Sequence, residues 1–146
     1  MINILENLKK RWEGLNYPFL IHLNEELRFN KITDQESVNL SDIKSGDVVA
    51  LIGDFNPKSI LTLLQLIDKN VILVPLTVDT STQHKYFFKE ALVDVIVEGN
   101  SVKRLFHNNK NIFIDNLRKQ NHAGLILFST GTTGRPKAIL HDLTFF

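Results

Sequence analysis

The chain has 146 residues, 43% of them hydrophobic and 23% charged, which is the make-up of a globular protein long enough to bury a core. Its 17 Lys and Arg nearly balance 16 Asp and Glu, so a net charge of +1 argues against a nucleic-acid or anionic-membrane surface. The absence of cysteine excludes disulfides, thiol catalysis and Cys-based zinc sites; no apolar run is long enough to span a bilayer, and the opening residues lack a signal-peptide pattern, so a cytoplasmic location is expected.

Ile4, Leu5, Leu8 and Trp12 recur at helical spacing before Gly14 and predict a helix over Ile2–Glu13. Phe19–Leu23 and Leu27–Ile32 read as a hairpin turning at Asn24-Glu25-Glu26, and residues 33–40 allow only a short helix. After the turn at Gly46-Asp47, Val48–Ile52 reads as a buried strand ending at Gly53.

The next unit is the clearest. Asn56 can cap a helix whose first position suits Pro57, and Ile60, Leu63, Leu64 and Ile67 form a core-facing stripe. Asn70 can close that helix in the left-handed conformation, and Val71–Val74 is a second buried strand ended by Pro75. Strand, helix and strand predict a βαβ unit with parallel strands and a right-handed crossover.

A helix over Ser81–Leu92, with Tyr86, Phe87, Glu90 and Ala91 sharing its turns, precedes a strand at Val93–Val97. Val102–Phe106 and Ile112–Ile114 read as short β segments around a turn at residues 107–110, with a helical turn at Asp115–Gln120. Leu125–Phe128 reads as a further buried strand, and Ala138–Leu140 is the strand that returns. The alternation predicts an α/β fold: an open, mostly parallel sheet flanked by helices, with ligands at the carboxyl ends of its strands.

At such an end lies Ser129-Thr130-Gly131-Thr132-Thr133-Gly134-Arg135-Pro136-Lys137. Small side chains let the backbone approach a ligand closely, and glycines accept φ angles that other residues resist. Successive N–H groups can converge on an anion, with four hydroxyls and an ammonium as further donors. A plain polar turn between two strands would use similar residues, but it leaves Arg-Pro-Lys unexplained. The nucleoside-triphosphatase P-loop does not fit, because Pro136 follows Gly131 by five and Ala138 follows Lys137. Nor does the dinucleotide fingerprint, since Gly131 and Gly134 have no third glycine in register.

Ser129 through Lys137 resembles the Ser/Thr-Gly-Thr-Thr-Gly-x-Pro-Lys signature of the adenylate-forming superfamily, the acyl-CoA synthetases and adenylation domains, with Ala138 where a glycine is usual. Lys44–Leu51, Asn56-Pro57 and Val74-Pro75-Leu76 are similar to segments that precede that signature. The resemblance implies an enzyme that activates a carboxylic acid with MgATP, gives an acyl-adenylate and pyrophosphate, and passes the acyl group to a thiol of coenzyme A or a carrier protein. Ser129, Thr130, Gly131, Thr132, Thr133 and Gly134 would cradle the β- and γ-phosphates, Lys137 would neutralise the leaving pyrophosphate, and Ser129 would reach Mg²⁺. His141 lies two places before the family's usual histidine, at Leu143 here, and takes no role.

The resemblance further implies that residues 1–146 are the amino-terminal portion of an adenylation domain, cut short after the motif, with no catalytic residue of their own and the missing carboxyl-terminal part as a partner. By itself the chain is expected to be inactive. One alternative is a non-catalytic phosphate-binding or scaffold remnant of that fold. Another is a flavodoxin-like or response-regulator-like domain, which leaves the Thr132–Lys137 run without explanation and requires an acid pair absent at the first buried strand.

Overall fold

Val48–Ile52 forms the central strand, none of its residues more than 6% exposed, because helices cover the sheet on both faces. The computed structural model describes residues 3–130 and 134–145. Its elements in chain order are α1 (Ile4–Trp12), β1 (Leu20–His22), β2 (Glu25–Leu27), α2 (Phe29–Thr33), β3 (Val48–Ile52), α3 (Pro57–Asp68), β4 (Ile72–Leu76), α4 (His84–Glu90), β5 (Val95–Glu98), β6 (Ser101–Arg104), α5 (Ile112–Gln120), β7 (Gly124–Phe128) and β8 (Ala138–Asp142). Six strands form one sheet in the order β6-β5-β3-β4-β7-β8. The β3–β4, β3–β5 and β4–β7 pairs are parallel, while β5–β6 and β7–β8 are antiparallel.

Alternating side chains divide the core. On one face, Phe87 of α4, Ala91 just after that helix, and Ile114 and Leu117 of α5 pack over Val48, Ala50, Ile72, Val74 and Ile126. On the other, Leu66 of α3 and Val38, Leu40 and Ile43 cover Val49, Leu51, Leu73, Val95 and Val97. Asn56 caps α3 by accepting from the Ser59 N–H at 2.9 Å, Pro57 fills its first turn, and Asn70 leaves it at φ 56°.

Several expectations are corrected. The hairpin turns on Leu23 and Asn24, both at positive φ, so its second strand begins at Glu25 and Phe29–Thr33 is helix rather than strand. Phe29 and Ile32, three apart, are the residues α2 buries. Residues 34–47 hold no helix among the described residues. The predicted α3 stripe is displaced: Leu61, Thr62, Leu64 and Leu66 are buried, because α1 and α2 lie against this helix as well as the sheet. The first helix is described from Ile4 to Trp12; its first two N–H groups donate to the Asp68 carboxylate at the end of α3.

Pro75 does not end its strand but sits within it, opposite Leu51. The β4–β7 pairing stops at Leu73–Leu125, so Pro75 stands where the two strands have parted and no ladder donor is needed from it. The helix expected over Ser81–Leu92 is split into a 3₁₀ turn at Val78–Gln83 and α4. The strand expected from Val93 begins at Val95, after Asp94 has turned to serve the neighbouring strand.

Ile112–Ile114 is the first turn of α5, not β. Asn111 accepts from the Phe113 and Ile114 N–H groups, and Ile114 and Leu117 then face the core. Leu127, in the strand expected to be buried, is 41% exposed. No helix among the described residues is long and apolar enough to cross a membrane.

Carboxylates hold the amino-terminal edge of the sheet. Asp94 accepts from the Val48 N–H at 2.8 Å and from Arg118 at 2.9 Å, and Arg104 pairs with Asp47 at 2.8 Å. The hydrogen bond to Asp47 raises the already high pKa of Arg104 further, against a smaller effect of burial. Both arginines are therefore occupied at the end of the sheet opposite the motif loop.

Candidate functional site

Parallel strands β3, β4, β5 and β7 all point their carboxyl ends the same way, and the motif loop leaves from the end of β7. Its neck is closed by two hydrogen bonds. The Ser129 N–H donates to the Lys137 carbonyl at 2.9 Å, and the Lys137 N–H donates to Ser129 Oγ at 3.0 Å. The chain then returns as β8, antiparallel to β7 from Phe128–Ala138 to Gly124–Asp142. The motif segment is thus the connection between β7 and β8, at the carboxyl end of β7.

Ser129 and Lys137 are brought together by this neck; Thr130 is exposed just beyond it, and Gly134 adopts φ 93°, a conformation that favours glycine. Gly131, Thr132 and Thr133 lie outside the described residues. Lys137 is exposed. Ser129 Oγ spends one lone pair on the Lys137 N–H and retains another and its own proton, so it fits as a single oxygen ligand to an ion carried by phosphate. No group of three or more His, Cys, Asp or Glu placed to hold a metal occurs among the described residues.

Two residues with no expected role join the site. Tyr86 of α4 donates its hydroxyl to the Pro136 carbonyl at 2.8 Å, and the Arg135 guanidinium lies over the Tyr86 ring, 5.1 Å from its centre. No local pattern marks Tyr86, because its partner is 50 residues away; the neighbouring Phe87 belongs to the core stripe instead.

His141 and Asp142 lie at the far end of β8, opposite Leu125 and Gly124, and so away from the loop. His122 Nδ1 is 2.8 Å from the Asp142 carboxylate, and the Thr144 N–H donates to its other oxygen at 2.9 Å. Burial pushes the Asp142 carboxyl up, but these hydrogen bonds outweigh it and hold the group below the usual carboxylate range.

Comparison with solved structures defines the class of fold. The amino-terminal subdomain of NpsA from Klebsiella oxytoca superposes with a TM-score of 0.63 at 18% identity, over 96% of this chain and 41% of that one. The amino-terminal domain of FACL13 from Mycobacterium tuberculosis gives 0.60 at 12% identity, over 94% and 43%. VinN gives 0.60 at 11% identity, over 94% and 44%. The fold is that of the amino-terminal subdomain of adenylate-forming enzymes, and this chain spans less than half of each of these structures. NpsA has been solved in complex with 3-hydroxyanthranilyl-AMSN, and in an artificial adenylation–PCP di-domain. No protein-family model and no curated protein matches the sequence.

Proposed function

We propose that this chain is the amino-terminal portion of an ATP-dependent acyl-activating ligase and supplies its phosphate-binding loop. The observation that supports the reading is the Ser129–Lys137 neck at the carboxyl end of β7, the end of a parallel sheet at which α/β folds generally bind ligands. Ser129, Thr130, Gly131, Thr132, Thr133 and Gly134 would offer N–H and hydroxyl donors to the β- and γ-phosphates of ATP, and the exposed Lys137 ammonium would offset charge on the pyrophosphate. Mg²⁺ would ride on the phosphates with Ser129 as its one protein oxygen here. The ligands seen on NpsA are acyl-AMP analogues, which supports a carboxylic acid as the second substrate; coenzyme A or a carrier-protein thiol would take the acyl group.

In this reading the residues that bind adenine, ribose and acid, and those that carry the chemistry, belong to a further part of the enzyme, since the compared structures are more than twice this chain's length. The test is calorimetric titration of the 146-residue chain with MgATP, beside Lys137→Ala. Binding weakened about tenfold or more in the variant supports the reading, as loss of a charge-assisted contact should. Equal binding, or none by either protein, contradicts it. Carboxylate-dependent exchange between ATP and pyrophosphate is expected to be absent from this chain.

A further inference from the structure

Consecutive residues of α4 grip the two arms of the motif loop. Phe87, 5% exposed, stacks on Phe128 at the last position of β7, with ring centres 4.2 Å apart and planes tilted by 32°. Tyr86, one position earlier and so turned about 100° round the helix, reaches the arm that comes back, through its hydroxyl to the Pro136 carbonyl and its ring beneath Arg135. One helix therefore holds the strand that enters the loop and the chain that leaves it.

We infer that Tyr86 is a positioning residue for the anion loop, setting where Lys137 sits by tethering the residue before it; this rests on the phosphate-binding reading above. Proline explains why the tether is at this point. Pro136 has no N–H to join a ladder and its φ is fixed, so its carbonyl is the group through which the arm can be held. The next N–H, that of Lys137, makes the neck bond to Ser129 Oγ, and the Lys137 carbonyl accepts the Ser129 N–H. Among the described residues, three hydrogen bonds thus hold residues 136 and 137, and of these the one from Tyr86 ties them to an element outside the hairpin. A hairpin connection held at its neck alone could still swing about that neck; the bond to α4 removes that freedom, and Arg135 on the ring adds a weaker cation–π contact in the same direction.

The experiment replaces Tyr86 by Phe, which keeps the ring and removes the hydroxyl. It reads three quantities on the 146-residue chain: backbone amide hydrogen exchange, affinity for inorganic pyrophosphate, and the thermal midpoint. The expected result is exchange at the Lys137 amide faster by about fivefold, the equivalent of one neutral hydrogen bond. Exchange along β7 and α4 should stay unchanged, pyrophosphate binding should weaken by about the same factor, and the midpoint should stay within a few degrees. Unchanged Lys137 exchange or unchanged affinity would overturn the role, as would faster exchange spread evenly over β7 and α4, which would make Tyr86 a general packing residue. Absence of pyrophosphate binding by the native chain would overturn the phosphate-loop reading and this role together. Binding that survives Tyr86→Phe undiminished overturns the role alone.

Discussion

Ser129 and Lys137, eight residues apart, are joined in both directions: each donates its N–H to the other, to a carbonyl in one case and to the serine hydroxyl in the second. The side-chain bond is the one a mutation can reach. Ser129→Ala should leave global stability within about 1 kcal/mol, the net worth of one exposed hydrogen bond, yet weaken pyrophosphate binding severalfold. Ser129→Thr, which retains the hydroxyl, should restore most of the affinity. Urea unfolding and calorimetry on the same samples separate the two effects.

Asn111 bonds two orphan N–H groups at the start of α5 and is exposed, so its removal leaves no cavity. Asn111→Ala should lower stability by about 1 kcal/mol and Asn111→Asp by less, as for helix caps in general. The urea midpoint is the measurement.

A methyl group has no room at Gly124. A Cβ there would stand 2.8 Å from Leu117 Cδ1 and 3.2 Å from Ile72 Cγ1, in the core between α5 and the β4–β7 pair. Gly124→Ala should therefore destabilise by about 1–3 kcal/mol through overpacking. A variant as stable as the native chain in urea would mean that Leu117 moves aside freely.

Asp142 gives stability a dependence on acid. Its folded-state pKa is lowered, so its contribution is complete above the unfolded carboxylate value, near pH 4, and disappears as pH falls through the lower folded value. The native chain should lose stability below about pH 4 more steeply than Asp142→Asn. Parallel loss in both proteins across urea titrations at pH 2.5–5 would assign the acid sensitivity to other carboxylates.

Much of the sheet was legible in the sequence because its signals are local. Asn56-Pro57 opened α3, the apolar runs at Val48–Ile52 and Leu125–Phe128 marked strands, and Asn70 marked a left-handed exit. Some misreadings turn on a local signal, a cap or a turn residue, and others on a partner elsewhere in the chain. Ile112–Ile114 is apolar enough for a strand, and only Asn111 together with the burial of Leu117 makes it helix. Pro75 looked like a stop until the parting of β4 from β7 gave it a place. Leu23 at positive φ is an uncommon turn residue, so the hairpin register was displaced. The Ser129–Lys137 run is a pattern visible in the sequence itself, while the contact of Tyr86 is not, since nothing near it in sequence points to Pro136.

Phosphate binding at the β7 rim is tested most directly by backbone amide chemical shifts. Adding pyrophosphate to the isotope-labelled 146-residue chain should move the amides of residues 129–135 and 137, with a smaller response at Tyr86. Those beside Arg104 and Arg118, occupied by carboxylates at the opposite edge, should stay still. Shifts centred on that opposite edge, or none at saturating pyrophosphate, would contradict phosphate binding at the β7 rim.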